Sequence, residues 1–252
     1  MPAISRPERL EDAWRRQHER LVRRIANLCP IAPETILEVG CGRGQITIPL
    51  AERFPGAKIT AVDRYRGPYS EDRDQLAARL ARAGAACRVR VIRADALEWI
   101  YHRKLSQFDM VLSSEFLPEL DAEQMTGFFE GCLRVLRPGG LTAHLFLSPK
   151  ARNARQRLVI DADSDPRWTR YPPRQWFSPP PLQAVQNLTA AGFVATRAQR
   201  QLGGLAVRAG AARRLLKQWG VRPVFEKVYE GRIQKDGLEL PDWIIVHGTR
   251  PN

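Results

Sequence analysis

Between Ile36 and Gly44 the chain reads Ile-Leu-Glu-Val-Gly-Cys-Gly-Arg-Gly, an apolar strand that breaks into alternating glycines before a helical pattern resumes over Gln45–Phe54. Few stretches restrict a fold as much. Glycine at 40, 42 and 44 allows positive φ and lets the backbone pass close to a ligand, since no Cβ blocks either move. The following helix directs its free N–H groups at the same spot. Such a strand, turn and helix can cradle a nucleotide cofactor. The spacing is Gly-x-Gly-x-Gly, not the Gly-x-Gly-x-x-Gly of nicotinamide enzymes, and an acid, Glu38, stands two residues before the first glycine.

With that acid in place, the sequence resembles the class I S-adenosylmethionine-dependent methyltransferases. The resemblance is strong over residues 34–148 and positional over 178–201 and 242–248. It implies a Rossmann-like α/β fold: a seven-stranded, mostly parallel sheet with helices on both faces and the last strand antiparallel. It also implies that Glu38, Gly40, Cys41, Gly42 and Gly44 hold the methionine part of S-adenosylmethionine, with Glu38 suited to the ammonium.

The next strand, Lys58–Asp63, ends in an acid followed by Arg64 and Tyr65. A carboxylate there can accept both ribose hydroxyls of an adenosine held at the first turn. Asp63 and Arg64 are therefore cofactor candidates. Tyr65 either packs on adenine or closes the loop. A third strand, Cys87–Arg93, delivers Asp95 and Ala96, which by the resemblance meet the adenine amino group and a ring nitrogen; alternatively Asp95 only caps the next helix.

The fourth strand, from Phe108, runs into Ser113-Ser-Glu-Phe116. In the resembled family its end faces the transferring methyl, and enzymes acting on exocyclic or amide nitrogens carry Asn/Asp-Pro-Pro-Tyr/Phe here. The departure argues against base amines. Ser113 is placed at the cofactor, Glu115 as the candidate catalytic carboxylate and Phe116 at the acceptor. Asp121 with Gln124 makes a capping-box start to a helix that Arg137-Pro-Gly-Gly140 ends, and a fifth strand covers Leu141–Leu147. His144, in mid-strand, reads as a satisfied core histidine.

Two regions flank this framework. Pro7–Leu28 carries Leu10, Trp14, Leu21, Ile25 and Leu28 at helical spacing. As residues 1–33 it forms either a lid, with Trp14 and His18 lining the acceptor site, or a helix packed on the domain edge. Residues 34–252 then form the main domain, with acceptor-side insertions near 148–181 and 203–240. The first is proline- and arginine-rich without regular pattern, and its Trp168, Tyr171 and Trp176 suit a planar or anionic substrate. In the second, a helix is expected around Val207–Trp219 and extended runs near Pro223–Gln234 and Leu238–Leu240. Ser70 and Ser178 are expected as helix caps.

Composition narrows the class without naming the acceptor. Cys29, Cys41, Cys87 and Cys132 are scattered, with no Cys-x-x-Cys pair and no adjacent histidines, so neither a zinc site nor a disulfide framework is expected. No apolar run approaches the roughly 18 residues of a membrane span, and no secretory h-region is recognised; a soluble, cytoplasmic protein is expected. A net charge of +13, carried mainly by arginine, favours polyanions or acidic partners. The leading expectation is methyl transfer to a small-molecule acceptor. Two alternatives stay open: an RNA methyltransferase using a basic surface, and a catalytically silent module that binds S-adenosylmethionine or RNA.

Overall fold

The computed structural model describes residues 10–66, 72–165, 167–168, 179–202 and 204–252. Helix α1 (Leu10–Ala26) precedes a succession of strands and helices: β1 (Thr35–Val39), α2 (Thr47–Arg53), β2 (Lys58–Asp63), α3 (Asp72–Arg82), β3 (Val89–Arg93), α4 (Ala96–Tyr101), β4 (Phe108–Ser114), α5 (Ala122–Val135) and β5 (Leu136–Leu147). After β5 come α6 (Ala154–Ser164), α7 (Pro181–Ala190), β6 (Val194–Gln201), β7 (Ala206–Val207), α8 (Ala209–Gln218), α9 (Pro223–Asp236), β8 (Leu238–Glu239) and β9 (Trp243–Thr249).

Seven strands form one sheet in the order β3-β2-β1-β4-β5-β9-β6, and β7 pairs with β8 in a separate ribbon. The first five run parallel, while β9 lies antiparallel between β5 and β6. Alternation along the strands sends their side chains to two cores. Ile36, Ile59, Met110, Leu112, Leu145 and Ile245 face α1, α2 and α3. On the other face, Leu37, Val39, Val62, Val111, Phe146 and Ile244 meet α4, α5 and α7. Strand β1 is central and buried on both faces, so its carboxyl end, where the glycines begin, is fixed by neighbours on each side.

The capping box at the start of α5 is formed in both directions, between Asp121 and Gln124. That helix ends at Val135 and β5 begins at once with Leu136, so Arg137-Pro-Gly-Gly140 lies at the start of β5, beside an irregularity in its pairing with β4.

The two insertions fold together; the helix expected around Val207–Trp219 is α8 and the extended run near Leu238–Leu240 holds β8, while the other segments differ from expectation. Helix α6 occupies part of the first, and α9 stands where an extended run was expected. In α9, Pro223 opens the helix, Phe225, Tyr229 and Ile233 repeat every four residues, and Gly237 closes it at φ 68°. Valines and Gly231 gave the segment a strand-like composition, but the four-residue repeat turns one apolar row inward. With α6, α8 and the β7–β8 ribbon it encloses a third core around Leu158, Leu215, Leu216 and Phe225. This small cap is tied down by ion pairs: Arg152 reaches both Glu239 and Asp242, Arg155 reaches Glu239, and Arg200 reaches Asp242. Trp14 of α1 packs against both the first core and the cap.

Candidate active site at the carboxyl edge of the sheet

The turn after β1 is built as its glycines require. Gly40, Gly42 and Gly44 have φ of 74°, 45° and 81°. A Cβ on Gly40 would come 3.3 Å from the Phe116 ring, and one on Gly44 would come 2.3 Å from Leu76 Cδ1. Phe116 therefore lies directly over the first glycine and meets Phe128 edge-on with ring centroids 5.0 Å apart. No side chain caps α2; the N–H of Ile48 in its first turn donates instead to Gly44 O at 3.2 Å, tying the helix to the turn.

Glu38 is buried at 1% exposure, and its Oε2 has no hydrogen-bond partner. Burial pushes its carboxyl up to about 8, with Asp63 adding to the rise and Thr47 opposing it. A buried acid held neutral beside open glycine backbone is a site waiting for a cation. This fits the ammonium of a methionine-bearing cofactor, with the glycine backbone beside it for the carboxylate.

Asp63, expected at the ribose, also fastens the turn: its Oδ2 accepts from Gly42 N–H at 2.9 Å and its Oδ1 from Tyr65 N–H at 2.8 Å. Each oxygen keeps a second lone pair for a ribose hydroxyl. Tyr65 takes the loop-closing role, buried at φ 46° with its hydroxyl donating to Gly42 O and 3.2 Å from Cys41 Sγ. Cys41 is thus held from behind the turn. Arg64 pairs with Glu119 at 3.2 Å, linking the end of β2 to the turn after β4, on either side of β1.

Asp95 caps α4: its Oδ1 accepts from the N–H groups of Leu97 and Glu98 at 3.0 and 3.3 Å. The capping role expected as its alternative is thus present, with Oδ2 left over. Ala96 follows as the first residue of α4 and is buried.

Ser113 differs from expectation in its side chain. Its Oγ lies 2.9 Å from Nδ1 of His144, whose Nε2 lies 2.8 Å from Thr142 Oγ1. All three are fully buried, and desolvation lowers His144 to about 3, so it stays neutral. This is a satisfied core chain, as His144 was read, and what Ser113 can offer the site is its backbone.

Glu115 has left-handed backbone, φ 55°, unusual for a residue with a side chain and of the sort found at functional sites. Its N–H donates to Leu145 O at 2.8 Å and its Oε1 accepts from Leu147 N–H at 2.7 Å. The carboxylate therefore extends the β4–β5 pairing beyond Ser114 and sits at the end of β5.

Trp14 and His18 stack on each other with centroids 5.3 Å apart, and His18 meets Trp243 edge-on at 5.7 Å. Trp168 is placed elsewhere, in the cap core against Phe225 and Tyr229 with Arg167 over its ring. Tyr171 and Trp176 lie outside the described residues, as do the expected caps Ser70 and Ser178. Sequence reasoning missed Asp242 and Trp243. Both are buried at the carboxyl edge, and each leaves a buried polar atom, Asp242 Oδ1 and Trp243 Nε1, without a partner. An acid just before the last strand and an indole opening it were the available signal. Among the described residues, no cluster of histidine, cysteine or carboxylates is arranged to hold a metal.

Residues 36–140 match a family model described as a methyltransferase domain. The chain belongs to the class I S-adenosylmethionine-dependent methyltransferases. It is 31% identical over 191 residues to a malonyl-[acyl-carrier protein] O-methyltransferase of Geobacter sulfurreducens, covering 72% of this chain and 65% of that protein. It is 32% identical over 136 residues to a ubiquinone biosynthesis O-methyltransferase of Pseudomonas paraeruginosa, covering 53% and 52%. The S-adenosylmethionine-dependent methyltransferase SibL, solved in its apo form, superposes with a TM-score of 0.62 at 19% identity, over 95% of this chain and 56% of that one. The chain thus spans about two thirds or less of each of these relatives. No helix among the described residues is long and apolar enough to cross a membrane.

Proposed function

We propose that this methyltransferase binds S-adenosylmethionine in the turn after β1 and transfers its methyl group to a small-molecule acceptor. The observation that carries the cofactor reading is the buried carboxyl of Glu38, whose Oε2 has no partner, beside three glycines of positive φ. When bound, the cofactor supplies a methyl already activated by a sulfonium. Glu38 holds the ammonium, Asp63 the ribose hydroxyls, and Asp95 with the Ala96 N–H the adenine edge. Cys41 contributes backbone to the turn, and Arg64 closes the adenosine side through Glu119. Phe116, fixed over Gly40, shields the reacting centre from water. Alignment of the acceptor then supplies much of the rate, and Glu115, at the end of β4, is the carboxylate placed to orient it.

A small acceptor is favoured because α1 and the cap meet through Trp14 above the carboxyl edge, as an enclosed pocket requires. The O-methyltransferases among the relatives support that class. The net charge of +13 supports RNA as the second reading, in which exposed arginines would carry the contacts. Calorimetry with S-adenosylhomocysteine tests the cofactor half. A loss of affinity of about 1.5–3 kcal/mol in Asp63→Ala, the worth of hydrogen bonds to a charged group, is expected; unchanged affinity in the folded variant would refute the ribose assignment.

A further inference from the structure

Three rings gather where α1, the cap, the carboxyl end of β5 and the start of β9 meet. Trp14 and His18 lie on α1, with their planes 18° apart; Trp243 opens β9 opposite Leu147, the last residue of β5. His18 and Trp243 are each 2% exposed. Nδ1 of His18 lies 2.8 Å from Trp14 O. A carbonyl only accepts, so Nδ1 carries the hydrogen and Nε2 the lone pair. The indole N–H of Trp243 is buried with no partner. Leaving such a donor unmet is costly, and buried polar groups are nearly always met, so an unmet one asks for a ligand. The bracket is not remote from the cofactor turn: Arg79, whose guanidinium donates to Arg43 O in that turn, is close enough to act electrostatically on His18.

We infer that this bracket is the acceptor subsite and that it recognises a neutral hydroxyl, the Trp243 N–H donating to the hydroxyl oxygen and His18 Nε2 accepting its hydrogen. The inference rests on the small-molecule reading above and names the acceptor's chemical class. One unmet donor and one lone pair call for a group that both accepts and donates. A carboxylate would set its oxygens against the lone pair of Nε2, and an ammonium would set its hydrogens against the indole N–H. Burial keeps the imidazole neutral, its pKa lowered to about 4, so Nε2 is an acceptor throughout the neutral range. Trp14, stacked on His18, offers an apolar wall to the ring or chain bearing the hydroxyl. Because Trp14 and His18 share α1, entry displaces that helix as a unit.

The test uses the full chain saturated with S-adenosylhomocysteine and titrated with phenol, benzoate or benzylamine, following the Trp243 indole N–H and the His18 ring nitrogens by NMR. Phenol is expected to move both resonances saturably, with the other two probes at least tenfold weaker. His18→Phe and Trp243→Phe, which keep the rings and remove the lone pair or the donor, should each weaken phenol at least tenfold while S-adenosylhomocysteine affinity stays within twofold. If a variant fails to fold, the titration of the unaltered protein decides alone. A Trp243 resonance indifferent to phenol while S-adenosylhomocysteine binds would overturn the inference, as would equal response to benzoate. A small molecule methylated by a protein with a silent Trp243 would sink this subsite alone; methyl transfer solely to RNA would sink the small-molecule reading with it.

Discussion

Cofactor affinity should depend on pH through a single buried carboxyl. Glu38 is neutral in the free protein at pH 7, its pKa raised to about 8 chiefly by burial, yet it must be ionised to pair with an ammonium. Facing it are Asp63 from β2, Cys41 and Tyr65; burial pushes the Cys41 thiol and the Tyr65 hydroxyl up, so neither of these two titrates in the neutral range. If the complex holds Glu38 ionised, apparent affinity is reduced by the factor 1 + 10^(pKa − pH). That factor is about 100 at pH 6, about 10 at pH 7 and close to 1 at pH 9, which spans roughly 2.7 kcal/mol. The sign is fixed: binding releases a proton, so affinity rises with pH towards 8, until the ligand's own amine begins to deprotonate. Calorimetry with S-adenosylhomocysteine in buffers of differing ionisation enthalpy measures both slope and proton release. About one proton should leave at pH 6. Glu38→Gln should bind about 1.5–3 kcal/mol more weakly at pH 8, with a flat profile. Affinity independent of pH between 6 and 8, with no proton released, would refute the pairing of Glu38 with the ammonium.

Gly44→Ala places a Cβ 2.3 Å from Leu76 Cδ1 at φ 81°, so a loss of about 1–3 kcal/mol in chemical denaturation is expected, together with weakened cofactor binding. Glu115→Gln keeps an oxygen for the Leu147 N–H and removes the charge; turnover of the identified acceptor should fall while S-adenosylhomocysteine affinity holds, and intact turnover would exclude a catalytic carboxylate. His18 and His144 are held neutral, with pKa lowered to about 4 and about 3. The unfolded chain binds protons at these residues below about pH 6.5 and the folded one does not, so stability should decline as pH falls from 6.5 towards 4. His144→Asn should flatten part of that decline in thermal melts taken across the range.

The framework was legible because its signals are local. Glycines at 40, 42 and 44, an acid closing β2 at Asp63 and the capping box from Asp121 each require one backbone geometry, and together they fix the sheet and the cofactor end. Side-chain direction was less legible. Ser113 sits at the right strand end, but its hydroxyl points to His144, a partner on the neighbouring strand that no spacing reveals. Trp168 was read as acceptor wall; its ring packs in the cap against Phe225 and Tyr229, neighbours that come from the second insertion. The cap itself was hidden for the same reason: its core draws one row of residues from each of several short segments far apart in sequence, and no single segment shows which others it meets. Trp243 was passed over as part of the last strand, although its ring meets His18 of α1.

The most direct measurement of the central claim is the destination of the methyl group itself. The full chain would be incubated with S-adenosylmethionine labelled in its methyl and with a cell extract split into low-mass and RNA fractions, at 50 and 200 mM salt. Label should enter the low-mass fraction, with little difference between the two salts, as a pocketed small molecule releases few counterions. Label entering RNA with a more than tenfold fall between those salts, the loss expected for about five phosphate contacts on a single strand, would contradict the account, as would no transfer to either fraction by protein that binds the cofactor.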